Sequence, residues 1–189
     1  MAVPVPIELI IERHGIDIVP LPSLRRNFDI DGITSCDLTR IYVDDQIEYI
    51  HENRYRFTLA HELGHVVLHA DLFREYCDAA VGLDDWFELH RSMGEASGGS
   101  IEYHANYFAG FVLVPTESLK TSFDGAAAEV IQLVKAAMSQ GARRDAALGF
   151  AWDTLCSRLA QTFQVSQKVI ERRLTTEGYT SSDLDSRWA

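Results

Sequence analysis

The sequence predicts an α+β protein with a small sheet of about three strands near its beginning and helices after it. Three short runs rich in β-branched residues, separated by prolines and turn residues, predict the strands: Ile16–Val19, Ile33–Cys36 and Arg40–Val43. From Asn53 onward the apolar residues recur at helical spacing. With 189 residues, of which 47% are hydrophobic and 24% charged, the chain is large enough to bury a core of its own.

The helices are predicted from their start and stop signals. The first begins at Pro6, which suits the first turn of a helix, and closes at Gly15. Later proline and glycine residues delimit the others, which we expect at 53–70, 101–114 and 125–140, with a further helical region to about 178. We expect the glycine-rich stretch 94–100 to be a surface loop. The predicted organisation is one domain over 1–120 and a C-terminal helical subdomain over 121–189.

Charge and cysteine content narrow the class of protein. The net charge is −11, with −12 in the first 140 residues and +1 in the remainder, which argues against a protein that coats nucleic acid. The three cysteines are far apart in sequence, which favours free thiols in a reducing compartment. The N-terminus lacks a basic region typical of signal peptides, and the longest apolar stretch is far shorter than the ~20 residues that span a bilayer. We therefore expect a cytoplasmic protein with no membrane partner.

One segment carries a metal-site pattern, His61-Glu62-Leu63-Gly64-His65. Two histidines at positions i and i+4 lie on one face of a helix, where both imidazoles can reach a single ion. The glutamate between them points ~100° away, where it can hold a water molecule without binding the metal. The opposite face of this helix is predicted to pack into a core, and its residues are apolar: Leu59, Leu63, Val66, Val67 and Ala70.

Two histidines do not complete a catalytic zinc site, which usually has three protein ligands and a water. His69 lies ~12 Å along the helix axis from His61, too far to share a metal with both histidines. Glu102, on the next predicted core helix, shares a face with two alanines that allow close helix packing. Asn106, one turn later, can hydrogen-bond a metal ligand from outside. Four acidic residues in the preceding segment remain alternatives: Asp71, Glu75, Glu88 and Glu95.

Two stretches, Arg56–His69 and Ile101–Pro115, together closely resemble the ImmA/IrrE family of metallopeptidases, whose zincin-like core resembles that of gluzincins. The resemblance implies a zincin-like fold, one Zn²⁺ per chain held by His61, His65 and Glu102, and Glu62 as the catalytic acid and base. His104 departs from the family, which usually has a second glutamate there. The helical wheel places His104 away from the metal, and we expect it to be partly buried on an aromatic face.

The segment Leu159–Leu174 resembles a helix-turn-helix, with Ser166 capping its second helix. Three basic residues are spaced to share one side of that helix: Lys168, Arg172 and Arg173. DNA contact is one interpretation, and a helical subdomain without a DNA partner is the other. Because residues 154–175 carry only +3, we favour the second and expect no direct nucleic acid binding.

These observations lead to three hypotheses about function. The first is a zinc-dependent endopeptidase that cleaves a specific intracellular protein, and the resemblance implies a helix-turn-helix repressor or an antitoxin-like partner. The second is a non-catalytic zinc-containing regulator that binds a repressor or DNA through its C-terminal segment, but such a site has no need of the base Glu62. The third is an interaction module without metal. The donor that would stabilise the reaction's oxyanion stays open among four candidates: Tyr76, Tyr103, His90 and His69.

Overall fold

The computed structural model describes residues 3–77, 82–96 and 99–186. Within them the chain divides into two compact units, one formed by residues 6–113 and the other by residues 114–189 together with the first five. The fold class predicted from the sequence is confirmed, since a small three-stranded sheet is combined with a majority of helices. None of the helices in the described ranges has the length and apolar character needed to cross a lipid bilayer.

The sheet of the first unit has the strand order β1-β3-β2 and is mixed. Its strands are β1 (Asp17–Leu21), β2 (Gly32–Thr34) and β3 (Arg40–Asp44). β1 runs parallel to β3 from the pair Asp17–Arg40 onward, and β2 runs antiparallel to β3. Pro20 lies within β1 rather than ending it, and this is possible because β1 is an edge strand, where a missing backbone N–H is tolerated.

The described part of the first unit also contains seven helices, and two of them carry the predicted site. In chain order they are α1 (Ile7–Arg13), α2 (Leu24–Phe28), α3 (Ile47–Ile50), α4 (Glu52–Leu68), α5 (Ala70–Cys77), α6 (Leu83–Ala96) and α7 (Ser100–Leu113). The predicted helices at 7–15, 53–70 and 101–114 correspond to α1, α4 and α7. The short helices α2 and α3 were not predicted, because neither is long enough to show a helical repeat.

The described residues between 70 and 96 include helices that were not predicted. They form α5 and α6, and their aromatic residues Phe73 and Trp86 are completely or almost completely buried in a core cluster with Ile33 of β2. The expected surface loop at 94–100 is wrong in its first part, because α6 continues to Ala96; residues 97 and 98 lie outside the described residues. Burial of large aromatic side chains stabilises these helices despite their high content of charge.

The cysteine prediction is also wrong in part. Cys36, just after β2, and Cys77, at the end of α5, form a disulfide across a sequence separation of 41 residues. The chain that this bond closes contains the whole of α4. Cys156 is free, as predicted, and it is buried, which raises the pKa of its thiol to about 12.

The second unit consists of four helices: α8 (Thr116–Ser139), α9 (Arg144–Phe163), α10 (Gln167–Thr176) and α11 (Ser181–Ser186). α8 begins earlier than expected, directly after Pro115, and α11 falls in a tail for which no helix was predicted. α9 and α10 form the predicted helix pair, with Gln164 in the left-handed conformation between them. Val165, before α10, and Ile170, within it, are fully buried.

Candidate metal centre

The central residues of α4 are buried on its polar face as well as on its apolar face. Leu59 and Leu63 of the predicted apolar face are buried, but so are Glu62 and His65, at 3% and 0% exposure. Val67, which was expected in the core, is half exposed near the end of the helix. The helix therefore inserts its ionisable side chains between neighbouring elements, where each of them needs a polar partner or an ion.

The close approach of α4 and α7 depends on small residues. A Cβ atom at Gly64 would lie only 3.2 Å from the Cα of Ala105 and 3.1 Å from the ring of Phe108. Ala105 and Ala109 on α7 are completely buried, as expected from the alanines that flank Glu102. Because the two backbones come this near, the short side chain of Glu102 can reach the histidines of α4.

The structure brings three of the predicted side chains together at one point. The Nε2 atoms of His61 and His65 are 3.0 Å apart. The two carboxylate oxygens of Glu102 lie 3.1 Å from Nε2 of His61 and 3.5 Å from Nε2 of His65. Within the described residues this is the single group of three or more histidine, cysteine or acidic side chains whose donor atoms are close enough to hold one metal ion.

The spacing of these three donor atoms fits a tetrahedral ion such as Zn²⁺. Ligand atoms at 2.0–2.1 Å from a zinc in tetrahedral positions are separated by about 3.3–3.4 Å from one another. The two Nε2 atoms are 3.0 Å apart, and the distances from one Glu102 oxygen to His61 and from the other to His65, 3.1 and 3.5 Å, lie on either side of this value. Two imidazoles and a carboxylate also leave a fourth position open, which is the composition of catalytic zinc sites.

The surroundings of His65 and Glu102 favour the protonation states in which these side chains can bind a metal. Burial, with the nearby charge of His61, lowers the pKa of His65 to about 3, which keeps this imidazole neutral. Burial alone would raise the pKa of Glu102, but the hydrogen bond with His61 and the charges of the two histidines lower it to about 2. A metal requires a neutral imidazole and an ionised carboxylate, and both are present at neutral pH.

His61 differs because it exchanges a hydrogen bond with the carboxylate. Burial lowers its pKa, but the hydrogen bond with Glu102 and the charge of Glu62 outweigh burial and raise it. A hydrogen bond with Asn106 acts in the same direction. The Nδ2 of Asn106 donates to the backbone oxygen of Glu102, at 2.7 Å. Its side chain therefore fixes the positions of both His61 and α7, which agrees with the supporting role predicted for it.

Glu62 is held by the edge strand β2. One oxygen of its carboxylate, Oε2, accepts hydrogen bonds from the backbone N–H and the hydroxyl of Thr34, at 2.8 and 2.9 Å. The same hydroxyl is 3.1 Å from the backbone oxygen of Glu62. Gly32 allows this approach, because a Cβ there would lie 2.6 Å from Thr58 of α4. Glu62 is not among the three convergent ligand side chains.

The remaining candidates take other places. Asp71 and Glu88 are exposed and pair with Arg74 and Arg91, and Glu75 is exposed as well. The side chain of Glu95 lies outside the described residues. His104 is away from the three ligand atoms, as predicted, but it is exposed rather than partly buried, and its ring stacks on that of His69 at 5.9 Å.

The four candidate oxyanion donors do not gather in one position. Tyr76 is half-buried against the core cluster around Phe73, and Tyr103 is exposed on α7. The ring of His90, on α6, contacts that of His65 edge-on with centroids 5.5 Å apart, and His69 approaches His65 from the end of α4. The choice among them stays open.

Sequence reasoning missed the roles of Thr34 and of the aromatic side chains of α5 and α6. Phe73 stacks on His65 with ring centroids 5.3 Å apart, and the indole N–H of Trp86 donates to the backbone oxygen of Thr34 at 2.8 Å. Together they fix the ring of one histidine and the strand that holds Glu62. No spacing rule links a strand threonine to a helix glutamate 28 residues later, so the sequence carried no signal for this contact.

Comparison with known proteins identifies a family and a similar solved structure. The family model of IrrE N-terminal-like domains, Peptidase_M78, matches residues 11–175. No curated protein matches significantly. Among solved structures, a Mycobacterium tuberculosis transcriptional regulator is similar at 21% identity with a TM-score of 0.48. The match covers 89% of this chain and 46% of that one, so this chain spans a little under half the length of that protein.

Proposed function

The chain belongs to the Peptidase_M78 family of IrrE N-terminal-like domains, and we propose that it is a zinc-dependent endopeptidase. Its proposed substrate is a specific intracellular protein, of the helix-turn-helix repressor or antitoxin type. Family membership supports a metallopeptidase or a related regulator, and the residues of the centre favour the first of these. In this proposal His61, His65 and Glu102 bind one Zn²⁺, and Glu62 is the catalytic acid and base.

The observation that carries the proposal is the position of Glu62 next to a complete set of ligands. The Nε2 atoms of the two histidines are 3.0 Å apart, and each has one oxygen of Glu102 at 3.1 or 3.5 Å, so the three side chains are close enough to hold one ion. A purely structural zinc site normally has four protein ligands and has no use for a second, non-ligating carboxylate next to one of the histidines. Glu62 is buried and is aligned by Thr34, which suits a group that must move a proton at a defined place.

The chemistry follows from these positions. Zinc bound at this centre would polarise the scissile carbonyl and make water more acidic. Glu62 accepts the proton of the attacking water at its free oxygen, Oε1, because Oε2 is occupied by the two hydrogen bonds from Thr34. It then transfers that proton to the departing amine. Thr34 holds the carboxylate in one orientation during both transfers, which reduces the reorganisation that each one requires.

The alternative function, a non-catalytic regulator that binds DNA through α10, has less support. One of its three predicted basic contacts, Arg173, is buried at 3% exposure and donates to the backbone oxygen of Val114. A guanidinium engaged in this way is not available to a phosphate group. A regulator that binds a repressor without cleaving it remains the competing hypothesis, and the activity of Glu62 variants separates the two.

The test is co-expression with a helix-turn-helix repressor from the same genome, whose size is followed on a gel. Glu62→Gln keeps the size of the side chain and leaves all three proposed ligands in place, but it removes the base. We expect this variant to retain zinc and its partner while cleavage falls by roughly 10²–10⁴-fold, the usual effect of losing a general base. Exposed Glu88, changed to Gln, is the matched control and should cleave normally.

Each outcome has a clear meaning. Cleavage by the natural protein and its Glu88→Gln control, with intact repressor in the presence of Glu62→Gln, supports the peptidase. Equal cleavage by the natural protein and Glu62→Gln removes Glu62 from the mechanism. A zinc-loaded natural protein that binds its partner and never cleaves it would instead establish the regulator.

A further inference from the structure

His69 lies where α4 ends and the backbone leaves the helix, with φ −125° and ψ 17°. It is too far along the axis to bind the same ion as His61, and it is not part of the convergent group. Its imidazole instead reaches the other side of the His65 ring, where the Nδ1 atoms of the two histidines are 3.1 Å apart. This distance is that of a hydrogen bond between two ring nitrogens.

The protons on these rings can be assigned from the ligand geometry. A neutral imidazole carries one N–H, so a histidine that binds a metal through Nε2 has its proton on Nδ1. Nε2 of His65 faces His61 and Glu102 and is therefore its ligand atom. Its Nδ1–H then points at Nδ1 of His69, which must accept the hydrogen bond, and His69 carries its own proton on Nε2.

We propose that His69 is a positioning residue of the metal centre, which accepts the Nδ1–H of His65 and so fixes the tautomer and ring orientation in which His65 binds the ion. This inference rests on the proposed zinc site. Metal-bound histidines usually donate their second N–H to a carboxylate, a backbone carbonyl or a water. Here a third imidazole has that place, while His61 has Asn106 as its partner.

The surroundings of His65 leave it few substitutes for this partner. The residue is completely buried, and the ring of Phe73 stacks against it. His69 is itself confined, because its Nε2 atom is buried, with no hydrogen-bond partner in the described part of the chain, and the ring of His104 stacks against its imidazole. Loss of the His69 side chain would therefore leave a buried N–H without an acceptor, and the ring of His65 would lose its fixed orientation.

Two substitutions at one position distinguish this role from packing. In His69→Asn, the amide oxygen is attached to Cγ, as Nδ1 is in histidine, so it can accept the same hydrogen bond. His69→Leu has a similar size and no acceptor. Zinc affinity, measured by competition with a chelator, should fall roughly 10–100-fold in His69→Leu, the usual effect of losing such a partner, and His69→Asn should recover most of it. The exposed His14, which lies outside the centre, is the matched control, and His14→Leu should bind zinc as the natural protein does.

A spectroscopic measurement on the natural protein keeps the test independent of how the variants fold. Long-range ¹H–¹⁵N NMR of the zinc-loaded chain should show His65 protonated at Nδ1 and His69 at Nε2. Equal zinc affinity in His69→Leu and the natural protein would overturn the inference and leave the zinc site intact. Equal losses in His69→Leu and His69→Asn would overturn it too, since the acceptor would not matter. Failure of the natural protein to bind zinc would overturn the proposed function itself.

Discussion

Helix α4 and helix α10 both carry regularly spaced ionisable side chains, and the two helices use them differently. In α4 the side chains of His61 and His65 point to one place and meet Glu102 from α7. In α10 the three basic residues separate: Lys168 and Arg172 are exposed, whereas Arg173 is buried. A helical wheel therefore predicts correctly that the side chains of α4 converge, but it wrongly predicts a common exposed face for the three basic residues of α10.

The role of Arg173 explains the difference. Its guanidinium donates to the backbone oxygen of Val114 at 3.1 Å, to the hydroxyl of Thr116 at 3.0 Å and to the carboxylate of Glu177 at 2.9 Å. These contacts tie α10 to the start of α8 within the same unit. The spacing of the histidines in an H-E-x-x-H pattern lets both side chains reach one ion. An arginine on a helix, in contrast, can hydrogen-bond within the folded chain as well as contact a partner at the surface.

The largest effect should follow from removing the ligand that α7 supplies. Glu102→Ala leaves two histidines, and zinc affinity should fall by more than the 10–100-fold that loss of a supporting partner costs. The fold should be largely kept, because Ala105 and Ala109 maintain the contact between α4 and α7. The measurement is chelator competition, with far-ultraviolet circular dichroism as the check on structure.

Glu75→Ala and Glu88→Ala are the controls for this prediction, since both residues are exposed acids that were alternatives as ligands. They should bind zinc as the natural protein does. If Glu102→Ala retained full affinity while one of these controls lost it, the assignment of the third ligand would be wrong.

A smaller effect, on stability rather than on metal, is expected in α10. Arg173→Ala removes a buried charge whose partners stay behind, and it should lower the free energy of unfolding by about 3 kcal/mol. Arg172→Ala removes an exposed charge from the next position and should change the same quantity by less than about 0.5 kcal/mol. Urea unfolding of the two variants measures both. Equal stabilities would show that Arg173 does not hold the second unit together, and the DNA interpretation of α10 would regain its basis.

The fold class and the central part of the site could be predicted from the sequence, for physical reasons. An H-E-x-x-H pattern places two candidate ligands on one helix face through helix geometry alone, and the need for a third ligand limits the choice to a few acids. The alanines beside Glu102 indicated which acid could come close enough. Local spacing of this kind is a property of single helices and can be derived without knowing the tertiary structure.

Other features depend on contacts between distant parts of the chain and were missed. The disulfide joins Cys36 to Cys77, and the hydrogen bonds of Glu62 come from Thr34. The burial of Phe73 and Trp86 depends on a core that includes β2. The inward position of Arg173 likewise depends on Val114 and Glu177. The spacing of residues within one helix or strand does not indicate which distant residues they contact.

The most direct test of the account is the location of zinc in crystals of the loaded protein, from anomalous scattering measured at the zinc edge. The account predicts a single strong peak per chain in contact with Nε2 of His61, Nε2 of His65 and the carboxylate of Glu102, with Glu62 close by and not bound to the ion. A peak coordinated instead by His69 or His104, or a centre that stays empty in crystals with zinc bound elsewhere, would contradict it.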